Sequence, residues 1–359
     1  MNKIEFGDCR ETMRRWKEQG IKAQTCVTSP PYFGLRDYGT AKWEGGDDSC
    51  EHSISMPTKW NDPKRGTNVL RPETGHRGGT SKNCHKCGAA RIDDQLGLEE
   101  TPEEYITAMV EVFRCVWDVL QDDGTLWVNI GDSWASTAQG TFNAPQKIAK
   151  ENATVYANFR PKVGLAPKNL IGIPWRLAFA LQADGWILRQ DIIWNKPNPM
   201  PESVQDRCTK SHEYIFLLSK KQKYYYDIEP IREPIKDSCD ATIRAAARIQ
   251  SGPVDIGNGQ EMVERRYAEI KGANKRSVWT VNTKPYAGAH FAVFPTELIE
   301  PCILAGAPVG GVVLDPFMGS GTTAQVAQDL GRQYLGCELN LAYKPLQDKR
   351  ISQLSLELV

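Results

Sequence analysis

The residues with the sharpest chemical content are Thr28-Ser29-Pro30-Pro31-Tyr32, at the end of the buried-looking run QTCVTS (24–29). Two successive prolines cannot donate to a strand ladder, so the chain must leave a sheet there. The turn offers a serine oxygen, a Pro30 carbonyl whose direction the stiff Pro-Pro unit fixes, and an aromatic face at Tyr32. Such a set suits a nucleobase with a reacting exocyclic amine. That amine is a poor nucleophile because its lone pair is delocalised into the ring. Acceptors placed against its hydrogens favour a pyramidal nitrogen with a localised lone pair, while Tyr32 stacks on the extruded base. No covalent enzyme intermediate is needed, only positioning and electrostatics.

A second constellation is VVLDPFMGSGTTAQVAQDLGRQYLGCELN (312–340), which reads as strand, glycine-rich turn, helix and strand. Gly319 and Gly321 let backbone approach a ligand without a Cβ clash. The helix N-terminus after them presents unpaired N–H groups to a carboxylate or phosphate. Glu338, at the end of the second strand, is placed to hold the two hydroxyls of a ribose. A dinucleotide dehydrogenase uses a related turn. However, Gly-Ser-Gly-Thr-Thr departs from its usual spacing, and that reading leaves Ser-Pro-Pro-Tyr unexplained. A ligand-free tight turn is the plainer alternative, which the preceding Asp315-Pro316-Phe317 argues against.

Cys50-Glu51-His52 and Cys84-His85-Lys86-Cys87-Gly88 supply a third. C-x-H followed by C-x2-C gives four ligands of the right type for tetrahedral zinc, with Cys50, His52, Cys84 and Cys87 as the set and His85 as the alternative to His52. The pairs bracket a stretch (40–92) rich in Gly, Asp, Lys, Arg and Pro with little periodicity. A structural metal would explain how so long a loop stays ordered. Free thiols in a loose loop are the competing reading. Between Lys59 and Arg91 eight Lys/Arg stand against Asp62 and Glu73, a local surplus that suits DNA phosphate or merely a solvated loop.

The elements that must position these groups alternate in type. KIEFGD (3–8) reads as a strand, followed by an amphipathic helix through Trp16. Thr101-Pro102-Glu103-Glu104 is a capping box with proline at the first helical position. Tyr105, Met109, Val112, Phe113, Val116, Trp117 and Leu120 follow at helical spacing, with Gly124 as the expected stop. Strands are expected at 125–131, 186–196, 212–220, 312–317 and 333–340, with YYYDI (224–228) as a further partner for 212–220. Helices are expected at 174–183 and 319–331. Residues 135–168 read as a polar, mobile loop, and 236–276 as polar. Alternating strands and helices imply a mostly parallel α/β sheet.

Composition narrows the class. The 359 residues balance 44 basic against 44 acidic groups, so no strongly basic surface announces nucleic acid. No run approaches a membrane span, and the first residues carry no secretory pattern, so the cytoplasm is expected. Ten cysteines in a chain of this length read as core filler (Cys9, Cys26, Cys115, Cys337) or metal ligands rather than a disulfide scaffold.

Taken together, the motifs resemble those of the amino-group DNA methyltransferases, and their order resembles the permuted β class, in which Ser29-Pro30-Pro31-Tyr32 precedes Asp315-Pro316-Phe317-Met318-Gly319-Ser320-Gly321-Thr322-Thr323. Gly7-Asp8, the block 194–220 and the segment 290–306 fit the same resemblance. It implies a Rossmann-like fold with a mostly parallel seven-stranded sheet, S-adenosylmethionine as cofactor and double-stranded DNA as substrate. It also implies catalysis at Ser29, Pro30, Pro31 and Tyr32, and cofactor contacts at Asp8, Phe294, Pro295, Asp315, Pro316, Phe317, Gly319, Ser320, Gly321, Thr322, Thr323 and Glu338. One catalytic domain (1–359) would carry an inserted zinc module (41–92) and a target-recognition region (229–289). A homodimer and a separate cognate restriction nuclease are the partners the family suggests. Serine as the first letter of the tetrapeptide favours N4 of cytosine, with N6 of adenine as the alternative. Pro301-Cys302 imitates the nucleophile of a C5-cytosine enzyme but lies in an apolar helix. A protein-glutamine enzyme would show Asn in place of Ser29 and the reverse motif order. An RNA amino-methyltransferase and a nucleic-acid-binding zinc module on an inactive methyltransferase fold stay open.

Overall fold

Every residue of Ala23–Thr28 is buried, as expected of a strand covered on both faces. In the computed structural model, which describes residues 1–34, 40–52, 83–135, 163–234, 272–284 and 294–352 together with the short strands at 59–61 and 68–70, this segment is β2. Before it come β1 (Lys3–Phe6) and α1 (Cys9–Glu18), whose N-cap Asp8 accepts from the Arg10 amide. After it come two small antiparallel ribbons, β3 (Lys42–Glu44) with β6 (Ala90–Ile92), and β4 (Lys59–Asn61) with β5 (Asn68–Leu70). The chain continues through α2 (Pro102–Val119), β7 (Leu120–Ile130), α3 (Ile173–Ala183), β8 (Ile187–Asn195), β9 (His212–Ser219) and β10 (Val278–Thr280). It closes with α4 (Thr296–Gly306), β11 (Val312–Asp315), α5 (Thr322–Asp329), β12 (Gln333–Glu338) and α6 (Lys344–Ser352).

Eight strands form the main sheet in the order β1-β12-β11-β2-β7-β9-β8-β10. All run parallel except β9, which is antiparallel to both neighbours. Period-two alternation splits the core between the two faces. Cys26, Leu126, Val128 and Phe216 pack with α1, α2 and α3, whereas Val27, Trp127, Ile215 and Leu217 pack with α4 and α5. Trp16, Trp127 and Trp186 are among the largest fully enclosed side chains. Each buried large apolar side chain of this kind stabilises the fold by roughly 1.5–3 kcal/mol. No described helix is long and apolar enough to cross a membrane.

Several expectations change in detail. The sheet has eight strands, not seven; the extra one, β10, is three residues long and sits at the edge within the stretch expected to hold target recognition. So short a strand carries no readable alternation. YYYDI is not a strand. There the Tyr225 amide bonds to Asp123 O and the Asp227 amide to Ala305 O, and the Tyr226 ring stacks on Trp127, so its aromatics cover the sheet instead of extending it. Helix α2 ends at Val119, with Leu120 already extended, and Gly124 lies inside β7. The register with β2 shifts there, and a Cβ at Gly124 would come within 2.9 Å of Gln24 O, so the glycine serves a bulge. Strand β11 stops at Asp315, and α5 starts only at Thr322 because the glycine turn occupies the residues between. Most of 135–168, 229–289 and the head of 290–306 lies outside the described residues, as do Lys64, Arg65, Arg71 and Arg77.

Candidate active site

The carboxyl ends of the parallel strands face one edge of the sheet, and β9, running the other way, brings its first residues to the same edge. β2 delivers Ser29, β7 Asn129, β8 Lys196, β11 Asp315 and β12 Glu338, while β9 delivers Glu213. All of them line one cavity of about 780 Å³. Strand connections from β2 and β11 run to opposite sides, so this cavity opens where the strand order reverses, the usual place for a ligand in an open α/β sheet.

The Ser-Pro-Pro-Tyr turn is held from several sides. The Tyr105 hydroxyl donates to Pro31 O at 2.8 Å, and the Gly34 amide bonds to Gly97 O. Tyr32 lies partly exposed along the cavity, and its hydroxyl points inward to donate to Glu213 Oε2 at 2.7 Å. Burial, then the neighbouring Glu213 charge, push the phenol's pKa well above its ordinary value, so Tyr32 stays a donor. Glu213 also accepts from Asn129 Nδ2 and pairs with Lys196, whose ammonium lies 4.1 Å from the Trp194 ring centroid. Gly131 is required here because a Cβ on it would meet Tyr32 Cε2 at 2.7 Å.

The glycine-rich turn faces this one across the cavity. Asp315, 1% exposed, accepts from Thr28 Oγ (2.6 Å), Thr323 Oγ (2.6 Å) and the Phe317 amide (3.0 Å). It therefore ties the end of β2 to the start of the turn, joining two motifs 287 positions apart. Burial nonetheless pushes its pKa up to about 6. Glu338 accepts from the Gly319 and Asn340 amides, and burial pushes it up to about 7. Gly321 (φ 88°) caps α5 in a left-handed conformation. Ser320 Oγ is buried with no hydrogen-bond partner among the described residues, a cost that a bound polar ligand would remove.

Of the expected cofactor residues, Asp8, Phe294, Asp315, Pro316, Phe317, Gly319, Ser320, Thr322 and Glu338 line the cavity together with all four residues of the tetrapeptide. Pro295, Gly321 and Thr323 do not line it: Pro295 caps α4, Gly321 shapes the turn, and Thr323 is spent on Asp315.

Comparison with known proteins agrees with this geometry. The profile of the N6/N4 methyltransferases, described as DNA methylase, matches residues 23–349. The chain belongs to this family. It is a DNA amino-methyltransferase of the type acting on cytosine N4 or adenine N6. Among its relatives are the Type II methyltransferases M.Cfr9I of Citrobacter freundii (42% identical, covering 96% of this chain and 86% of that one) and M.SmaI of Serratia marcescens (42%, covering 97% and 90%). The fold matches two solved structures. One is a Thermus thermophilus protein complexed with S-adenosyl-L-methionine (18% identical, TM-score 0.52, covering 99% of this chain and 96% of that one). The other is the cytosine-N4-specific PvuII DNA methyltransferase (13%, TM-score 0.52, covering 97% and 86%). The fold is thus that of a Rossmann-like methyltransferase with an added edge strand.

The methylase carries a second cluster outside the cavity. Ligand atoms of Cys50, His52, Cys84 and Cys87 all lie within 4.8 Å of one another. Cys50 Sγ is 4.0 Å from Cys84 Sγ, and Cys87 Sγ is 3.2 Å from His52 Nδ1. These approach the ~3.5–3.8 Å edges of a tetrahedron with zinc–ligand bonds of about 2.0–2.3 Å. His52, not His85, completes the four, and its ring stacks on Trp43 of β3. The Cys84 amide bonds to Ala89 O and the Gly88 amide back to Cys84 O, which curls the knuckle around its ligands. The ribbon of β3 and β6 leads from this cluster to Thr40, Asp94, Gln95 and Leu96 on the cavity wall, closed at its base by Thr40 donating to Asp93.

Sequence reasoning missed Glu213, Lys196 and Asn129. Glu213 and Lys196 fall inside the block 194–220, and a charged residue opening an otherwise apolar strand (HEYIFLLS) was the available signal.

Proposed function

We propose that this methylase transfers the methyl group of S-adenosylmethionine to the N4 amine of a cytosine flipped out of double-stranded DNA. When bound, the cofactor supplies a methyl group made electrophilic by its attachment to a sulfonium. The residues present fit such a molecule. Glu338 suits the ribose hydroxyls, the orphaned Ser320 hydroxyl suits its polar amino-acid end, and Phe317 and Phe294 offer apolar surface. Ser29 Oγ and Pro30 O accept from the amine hydrogens, and Tyr32 stacks on the base.

The observation that carries this reading is the confluence of the tetrapeptide and the glycine-rich turn on one cavity, tied at their roots by Thr28 and Asp315. Serine at the first tetrapeptide position supports cytosine over adenine, and the cytosine-N4-specific PvuII enzyme shares the fold. Transfer of labelled methyl from S-adenosylmethionine to DNA tests it. Ser29→Ala should retain cofactor binding by calorimetry and lose about 100-fold or more of the rate, as for removal of one oriented hydrogen-bonding group in other active sites. Unimpaired transfer by Ser29→Ala would refute the assignment.

The same reading gives Cys50, His52, Cys84 and Cys87 a structural zinc ion, supported by the donor set and its spacing. The zinc-bearing insertion (41–92) and the recognition region (229–289) are then additions to one catalytic domain.

A further inference from the structure

A phenylalanine would offer a flipped base the same aromatic face as Tyr32. What the tyrosine adds is a hydroxyl, and the protein itself engages it: the hydroxyl donates to Glu213 Oε2 at 2.7 Å.

Glu213 is held in turn by the sheet. It stands directly opposite Trp194 in the antiparallel register of β8 and β9. Lys196, whose amide continues that pairing by bonding to Ser211 O at 2.7 Å, is two positions beyond Trp194 and so on the same face. Its ammonium pairs with the free oxygen of Glu213 and lies over the Trp194 ring. On β7, Asn129 stands opposite Ile215 and shares that face as well. Its Nδ2 donates to Glu213 Oε2 at 3.3 Å and to Tyr214 O at 3.1 Å. The Glu213 and Lys196 side chains are only 16% exposed. An ion pair so far withdrawn from water adds little net stability, because desolvation offsets most of the attraction. Three strands nonetheless converge on one phenolic hydrogen.

The ring is confined elsewhere too. A Cβ on Gly131 would meet Tyr32 Cε2 at 2.7 Å and Cδ2 at 3.2 Å, so the backbone just after β7 lies directly against the ring edge. At its root, Tyr105 donates to Pro31 O. A base stacked on this ring takes its plane from it. A tilt of the ring would carry the amine away from Ser29 and Pro30 and out of line with the methyl group.

We infer that Glu213 is a positioning residue for methyl transfer: by accepting the Tyr32 hydroxyl it fixes the plane of the ring on which the flipped base lies, while Lys196 and Asn129 hold the carboxylate. Glu213 acts through Tyr32 and exchanges no proton with the base. The inference rests on the reading that Tyr32 stacks on the base, and it holds for cytosine and adenine alike.

Single-turnover methylation of duplex DNA at saturating S-adenosylmethionine, measured well below the melting temperature, tests it. Tyr32→Phe removes one oxygen, keeps the ring and leaves the ion pair intact. Its rate should fall by about 10- to 100-fold, the range that misplacement of reacting groups by about 1 Å can cost, with cofactor affinity by calorimetry unchanged. Glu213→Ala should show the same loss. Tyr32→Phe combined with Glu213→Ala should lose no more than either alone, because both remove one bond. Glu213→Gln keeps a hydrogen-bond partner for the hydroxyl and should retain most of the rate. A purely structural bond would instead lower the melting temperature and leave the rate of the folded enzyme unchanged. A Tyr32→Phe enzyme at the wild-type rate therefore overturns the inference. So does a double variant whose loss is the product of the two single losses, or Glu213→Gln as slow as Glu213→Ala. If Glu213→Ala fails to fold because Lys196 loses its partner, Tyr32→Phe decides alone. Tyr32→Ala separates this inference from the reading beneath it. A slow Tyr32→Ala beside a full-rate Tyr32→Phe keeps the stacking and removes the positioning role, whereas a full-rate Tyr32→Ala removes both.

Discussion

Two carboxylates with raised pKa values sit at the cofactor side of the cavity, and they have different employments. Asp315 is saturated by Thr28, Thr323 and the Phe317 amide and acts as a clamp, while Glu338 accepts from two amides at the cavity wall. Glu338 rises from 4.5 to about 7, so the folded protein binds that proton more tightly than the unfolded chain does. Its stabilising contribution is full below pH 4.5 and is lost as pH rises through 7. The ligand-free protein should therefore lose on the order of 2 kcal/mol from this group between about pH 5 and pH 8. Glu338→Gln should flatten that decline in thermal melts and weaken cofactor binding; an unchanged pH slope would show that Glu338 does not titrate there. At this scale the sequence was informative wherever function is local. Ser29 through Tyr32 and Asp315 through Ser320 are contiguous, and their chemistry is readable from neighbours. Glu213, Lys196 and Asn129 were not legible because three separate strands bring them to Tyr32. The bond from Thr323 to Asp315 was not legible either, because a hydroxyl next to a glycine turn resembles a ligand contact until its acid partner is seen.

Elements were legible where local signals agree with burial. The Thr101 capping box forms as its letters require, with Thr101 Oγ accepting from the Glu104 amide at 3.1 Å and Glu104 bonding back to the Thr101 amide. Thr101→Ala should cost about 1 kcal/mol, seen as a lower melting temperature with methyl transfer unaffected at moderate temperature. A loss of activity without a loss of stability would place Thr101 in the site instead. Errors arose where tertiary context overrode a local cue. Gly124 looks like a helix stop, but the backbone of Gln24 demands a glycine in the β7 bulge. The Tyr224–Tyr226 run has strand propensity, but its main chain is taken up by Asp123 and Ala305. β10 is held by pairing with β8, a long-range contact that three residues cannot announce.

At the scale of the whole molecule, the first strand lies beside the last strand among the described residues. β1 pairs with β12, so the first and last strands complete one sheet around a core that faces both ways. This closure lets the tetrapeptide come first and the glycine-rich turn last while both open on one cavity. The cluster of Cys50, His52, Cys84 and Cys87 belongs to this scale too, since its ribbon ends on the cavity wall and Gly97 packs against Pro31 and Tyr32. Removing zinc with a strong chelator, or replacing Cys84 with serine, should abolish DNA methylation while leaving cofactor binding intact, with atomic spectroscopy reporting one metal lost per chain. Full activity in metal-free protein would make the cluster incidental. The spacing in the sequence picked out the four side chains that the structure gathers, but not the cluster's attachment to the cavity wall, which depends on the pairing of β3 with β6.

The most direct test of the whole account is mass spectrometry of nucleosides from unmethylated duplex DNA incubated with the enzyme and S-adenosylmethionine. N4-methylcytosine is the predicted product, and N6-methyladenine would keep the amine chemistry while changing the base. 5-Methylcytosine would contradict the account, because a ring carbon has no amine hydrogens for Ser29 and Pro30 to hold.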